Sequence, residues 1–299
     1  MKKLGGAQVE GRRLNNSLRA TLIVFSVSLL LGVSRPAQAV ILSLDDDNAS
    51  VDIDLSSQHG LFDWYTDGVN IAPVVGAVGG DDDYRQWFWY SVGSAAPASV
   101  DTLTLALSGT TDTDFNGFAD TGFVRYFGTG FKLEVTFNLV GGSLGSGVSD
   151  IGEQIHITNT NSVGNLVFHF YQYGDFQLAP PLIGGENISF LNSNTVHETG
   201  AFGAVQETVL TPPATHREVE LFPITINKLN NGTNAVTLAD NTTLGPGDVT
   251  WTYQWDVTIA PGSTLLISKD MQVVIPEPGT FALVFVGIAG LCVLRRRRA

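Results

Sequence analysis

The chain has 299 residues, with 29 acidic against 16 basic residues and a net charge of −13. Length alone allows two domains, although all-β folds of about 200–250 residues routinely form one. Six basic residues precede residue 40 and four follow residue 294, whereas 27 acidic ones fall between 40 and 275, so that stretch carries about −21. Such a field repels nucleic-acid phosphates, which excludes nucleic acid as a partner, and it concentrates cations.

Residues 1–39 read as a secretory signal peptide. Lys2, Lys3, Arg12, Arg13 and Arg19 precede an apolar run at 20–33, and Ala37 and Ala39 occupy the −3 and −1 positions of an A-x-A site for signal peptidase. The run is shorter than the roughly 20 residues a membrane-spanning helix needs. Cleavage is therefore expected after Ala39, leaving an exported body at 40–273. The body contains no cysteine, because Cys292 lies in the tail, so a large core or bound ions must stabilise it.

Along the body the dominant signal is two-residue alternation without a useful helical period. WFWY at 87–90 places aromatics on both faces of a strand, and Trp87 and Trp89 are candidates for stacking against a sugar. The competing reading is core, since each large aromatic buries about 150–250 Å². Leu103, Leu105 and Leu107 alternate next. The segment DTDFNGFAD at 112–120 then fits D-x-[DN]-x-[DN]-G, the first half of a calcium loop. In it Asp112, Asp114, Asn116, the Phe118 carbonyl and Asp120 are the candidate Ca²⁺ ligands. Phe123 stands where a bidentate Glu is expected, so the shell needs another carboxylate, from Glu153, Asp81, Asp82 or Asp83. The alternative is a plain hairpin turn, for which Asn-Gly is a strong signal.

FKLEVTFNL at 131–139 alternates without a fault. GGSLG at 141–145 satisfies G-x-S-x-G, but a nucleophile elbow needs a following helix, and GSGVSDIG reads as a flexible turn. Ile155/Ile157, Phe168/Phe170 and Ile188/Phe190 give short strands, with His156 and His169 opposite apolar neighbours and hence solvent-facing. VTWTYQWDVTI at 249–259 alternates over eleven residues and points Trp251, Tyr253 and Trp255 inward. The five histidines show no zinc-like spacing, and carboxylates such as Asp150 and Glu153 are what any acidic surface supplies. No catalytic residue is assigned and the protein is expected not to be an enzyme. The pattern predicts an all-β fold: a single antiparallel β-sandwich, jelly-roll-like, flanked by a signal-peptide helix and a C-terminal hydrophobic helix.

The tail, 274–299, combines Pro276, Glu277 and Pro278, fourteen uncharged residues at 281–294, and the cluster Arg295, Arg296, Arg297 and Arg298. Fourteen residues make roughly 21 Å of helix against a hydrocarbon core of about 30 Å, too short for a durable anchor. The arginines should stay cytoplasmic and the prolines should hold the Glu277 region extended and accessible. These three features in this order resemble the PEP-CTERM sorting signal of Gram-negative and cyanobacterial exported proteins. The resemblance implies recognition by a membrane-embedded exosortase-type processing enzyme, transient tethering to the inner membrane, release to the cell surface or exterior, and a role in exopolysaccharide or biofilm matrix. The segments SDIGEQIHITNT (149–160), FHFYQYGDFQL (168–178) and WTYQWDVTIAPGSTLLISKD (251–270) likewise resemble ectodomains attached to such signals. The expected role is a structural or binding component of the envelope or matrix. The alternatives are a calcium-dependent carbohydrate-binding or adhesive module and a polysaccharide hydrolase.

Overall fold

The computed structural model describes residues 39–73, 84–178 and 185–276. The expected leader up to residue 38, with Ala37, and also Asp81, Asp82 and Asp83, Glu277, Pro278, the apolar stretch 281–294 and Arg295, Arg296, Arg297 and Arg298 lie outside the described residues.

The described residues are built almost wholly of antiparallel strands. A first sheet comprises β1 (Ile41–Asp46), β2 (Ala49–Asp54), β3 (Gly60–Thr66) and β4 (Val69–Asn70) in sequential order. The remaining strands are β5 (Trp87–Val92), β6 (Ala98–Ser99), β7 (Thr104–Thr111), β8 (Thr121–Gly128), β9 (Phe131–Gly141), β10 (Val148–Asn159), β11 (Leu166–Gly174), β12 (Glu186–Phe190), β13 (Thr195–Gly200), β14 (Gly203–Thr211), β15 (His216–Leu221), β16 (Thr243–Gly247), β17 (Val249–Ile259) and β18 (Thr264–Val274). They form a nine-stranded sheet, β16-β12-β13-β14-β18-β10-β9-β8-β7, and a five-stranded sheet, β15-β17-β11-β5-β6. The nine-stranded sheet is two meanders that meet on β18, which pairs with β10 on one side and β14 on the other.

Alternation explains the layering. In β9 the side chains of Phe131, Leu133, Val135, Phe137 and Leu139 are buried while Asn138 and Val140 are exposed, as expected when one pleat face meets a core. The nine-stranded sheet makes one layer. The two smaller sheets share the other, joined where Leu61 of β3 bridges Gln86 beside β5. Trp64 donates from Nε1 to Ser149 Oγ (3.0 Å) and the Tyr126 hydroxyl donates to the Leu55 carbonyl (2.7 Å), tying the first sheet to β10 and β8. The expected all-β sandwich is therefore the observed architecture.

One departure changes what the aromatics do. The five-stranded sheet is covered on both faces. Its outer face lies beneath α1 (Ile224–Asn231) and the chain that follows it, where the Tyr171 hydroxyl donates to the Val236 carbonyl and Leu238 N–H donates to Gln254 Oε1. α1 contradicts the expectation of a body without helix. It is eight residues, three of them Asn and two Ile, too short and too poor in helix formers to show a period; packing holds it where propensity does not.

Candidate functional site

The C-terminal strand ends at one pole of the sandwich, and the sequence-predicted calcium loop lies at the same pole. β18 stays paired to Val274, one residue past the expected domain boundary at 273. Ile275 is still buried and donates its N–H to the Gly147 carbonyl (2.6 Å), and Pro276 is exposed. The sorting motif therefore begins one residue beyond the core, with no spacer.

Two hairpin tips of the first sheet anchor this exit. Asp67 and Gly68, both with positive φ (48° and 78°), form the two-residue β3–β4 turn that Asp-Gly favours. Asp67 accepts from Gly145 N–H and Gly147 N–H, each at 2.7 Å, and from Asn48 Nδ2 at 3.0 Å. Burial pushes the Asp67 carboxyl up, but these three bonds outweigh it and hold it below the usual carboxylate range. From the β1–β2 turn, Asn48 Oδ1 accepts from Gly142 N–H and Asp46 Oδ2 from Gly141 N–H, both at 2.7 Å. The glycine-rich β9–β10 turn is thus clamped, not the flexible turn its composition predicts. A Cβ on Gly141 would stand 2.0 Å from the Asp46 carbonyl oxygen, and one on Gly147 would stand 2.0 Å from that of Ile275. Ser143 of the G-x-S-x-G match is exposed and no helix follows it, so there is no nucleophile elbow.

The β7–β8 loop docks on the same hairpin tip. Asp45 N–H donates to the Ala119 carbonyl (2.8 Å), and Asn116 Nδ2 donates to Asp46 Oδ1 (3.1 Å). Inside the loop, Asp112 accepts from Phe115 and Gly117 N–H, and Asn116 accepts from Phe118 N–H. Phe115 (φ 65°) and Gly117 (φ 99°) take left-handed conformations to make the turn. Asp120 is buried, which raises its carboxyl, but the Thr113 and Thr121 hydroxyls with the Thr113 and Asp114 amides outweigh burial and keep it low. Carboxylate oxygens of Asp112, Asp114 and Asp120 converge to within 4.8 Å of one another, a donor set of the hard oxygen type that Ca²⁺ takes. Glu153 does not complete this shell. It is 1% exposed on the inner face of β10 and is bonded to Lys269 at 2.6 Å. The neighbouring carboxylate is Asp46, which sequence spacing could not reveal. A cleft of ≈ 520 Å³ lined by Asp45, Asp46, Asp47, Ala49, Asn116 and Phe118 opens beside the loop.

The other expected sites resolve differently. Trp87 and Trp89 are 1% and 0% exposed, so the sugar-stacking expectation is corrected. Trp87 Nε1 bonds Asp101 and Trp89 Nε1 bonds Asn230, on the covered side of the five-stranded sheet. Trp251, Tyr253 and Trp255 are buried, as their period predicts. Asp150 and Glu153, three apart on one strand, point to opposite faces. Asp150 instead meets Asp270 across the outer face of the nine-stranded sheet. Burial, then the hydrogen bond and charge of Asp270, lift its carboxyl to about 7. Asp270 also lines a shallow cleft of ≈ 380 Å³ with Asn138, Gln154 and Ser268. His156 and His169 are half-buried, and His169 is bonded to Asp256 and to the Gly93 carbonyl, so neither is simply solvent-facing.

Residues 274–298 match the family model of the PEP-CTERM protein-sorting motif. No curated protein matches the chain. Among solved structures, a protein described as a kojibiose phosphorylase from the human microbiome is 7% identical, with a TM-score of 0.44 over 85% of this chain. This chain spans 32% of that protein's length. One described as a mutarotase (YeaD) from Salmonella typhimurium is 11% identical, with a TM-score of 0.36 over 81% of this chain and 92% of its own. Likenesses this distant carry no argument about activity. No helix among the described residues is long and apolar enough to cross a membrane.

Proposed function

We propose that this PEP-CTERM domain-containing protein, exported and sorted by an exosortase, serves as a structural or binding component of the envelope or extracellular polysaccharide matrix. The observation that carries this reading is the exit of the chain. β18 is paired on both sides through Val274, and Ile275 closes the core. The described strands of the sandwich thus all end before Glu277, so removal of the tail should leave them intact. Signal peptidase acts at Ala39, the inner membrane holds the tail, the processing enzyme cuts near Pro276, Glu277 and Pro278, and the acidic sandwich is then displayed at the cell surface or beyond. Glu277→Ala should leave the uncleaved chain in the membrane fraction. Normal release of the variant to the surface would refute processing at this motif.

A calcium-dependent binding or adhesive mode is favoured by the convergence of Asp112, Asp114 and Asp120. Ca²⁺ held there would offset two of the three carboxylate charges and stiffen the loop against Asp46. Added Ca²⁺ should raise the melting temperature, by mass action on the folded state, and EDTA should reverse the rise. Melting curves that superimpose with and without Ca²⁺ would end this mode.

A further inference from the structure

The pole from which the sorting tail leaves carries three largely exposed apolar side chains in its loops. Phe115 is 90% exposed, Phe118 61% and Leu144 91%. All three sit on loops fixed to the exit by the hydrogen bonds described above: the β7–β8 loop through Asp46, and the β9–β10 turn through Gly147 and Ile275. Large side chains exposed to this degree on loops with defined bonding are not a folding necessity, since their backbone bonds would form equally well with serine in their place. At the opposite pole the exposed apolar residues are Val163 (80%) in the β10–β11 loop, Leu191 (58%) in the β12–β13 turn and Phe127 (46%) at the end of β8, and of these only the smaller Val163 approaches the exposure of Phe115 and Leu144.

Chain length fixes what these tips face. Phe281, where the apolar stretch of the tail begins, lies five residues on from Pro276. A chain spans at most about 3.3–3.6 Å per residue, so the pole stands within roughly 18 Å of that stretch. If the stretch lies in a bilayer, the exit pole hangs directly over the lipid surface with its apolar tips foremost. We infer that, before processing, Phe115, Phe118 and Leu144 seat in the interfacial layer of the membrane and hold the sandwich upright over the sorting motif. Phenylalanine and leucine are suited to the boundary of headgroups and acyl chains. The aspartates behind the tips, Asp45, Asp46, Asp47, Asp67, Asp112 and Asp114, have no Lys or Arg among their loop neighbours, so the seat suits a zwitterionic surface and opposes an anionic one. After cleavage the tips lose the tether and the pole comes away. The inference rests on the tail being membrane-held, as proposed above.

The test uses the chain from Val40 to Ala299, the form expected once the leader is removed, with Cys292→Ser, so that an introduced cysteine is the only thiol. Phe115→Cys, Leu144→Cys and Val163→Cys are each labelled with an environment-sensitive nitrobenzoxadiazole probe. Each protein is reconstituted in vesicles of phosphatidylcholine and phosphatidylethanolamine containing nitroxide-labelled lipid, with no processing enzyme present. The substituted positions are exposed, so folding is not at stake. Probes at 115 and 144 should be quenched several-fold more than the probe at 163. Flotation with the vesicles but equal quenching at all three positions would overturn the inference alone and leave the tether standing. Failure of the chain to float would overturn the tether and the inference together.

Discussion

Replacement of Lys269 by Met should destabilise the sandwich by about 3–5 kcal/mol at neutral pH, the usual penalty for stripping the partner from a buried charge. Lys269 is 2% exposed, with Nζ 2.6 Å from Glu153 Oε2 and 3.4 Å from Glu207 Oε1, between the two layers. Gln86 and Gln172 donate to the same two carboxylates, Gln172 at 2.7 Å from Glu207. Burial lifts the Glu207 carboxyl to about 7, with Lys269 pulling it down and Glu153 pushing it up. The sign follows from linkage. A carboxyl raised in the folded state binds its proton more tightly there than when unfolded. Its contribution is thus fully present below the unfolded value near 4.5 and is lost as pH rises through about 7. Asp150, raised to about 7 on the outer face, acts in the same sense. The native protein should therefore be more stable at pH 5 than at pH 8. In the Met variant both glutamates lose their cation, so its deficit should shrink in acid and widen in base. Equilibrium urea unfolding at both pH values checks this; a loss below about 1 kcal/mol, equal at both, would mean that the lysine is not the counter-charge. Adding Glu153→Gln and Glu207→Gln to the variant should restore much of the loss, because no uncompensated charge is then left inside.

Trp89→Ala should cost about 3–5 kcal/mol, as large-to-small changes in a closed core do. The side chain is 0% exposed, its Nε1 donates to Asn230 of α1 at 2.9 Å, and its ring meets Tyr173 edge-on at 6.0 Å. Truncation would leave a cavity between the five-stranded sheet and α1 and would strand Asn230. A sugar platform on the surface would behave otherwise, with stability within about 0.5 kcal/mol of the parent. Urea unfolding separates the two outcomes, and the smaller value would restore Trp89 as a surface residue.

These two positions show where the sequence was legible. The odd positions of β17 (Val249, Trp251, Tyr253, Trp255) announce their buried face by period alone. Its even positions (Thr250, Thr252, Gln254) read as a wet face and are nonetheless at most 1% exposed. The cover that buries them comes from a region without hydrophobic period, and it works through polar bonds such as Gln254 Nε2 to the Val236 carbonyl. Lys269, Glu153 and Glu207 lie on inward positions of their strands, but nothing local says that three charges meet. The exit pole was half legible. Asp112, Asp114 and Asp120 are a local motif and converge as spacing suggests. Asp46, Asn48 and Asp67 reach the β9–β10 turn across 78 to 98 residues of chain, a distance no spacing rule spans.

If the sandwich is complete at Ile275 and the remainder is a removable sorting label, mass spectrometry of the protein recovered from the cell surface reads the answer at both ends. The expected chain begins at Val40 and stops close to Pro276, without Arg295, Arg296, Arg297 and Arg298. A surface population that still runs to Ala299 would contradict it.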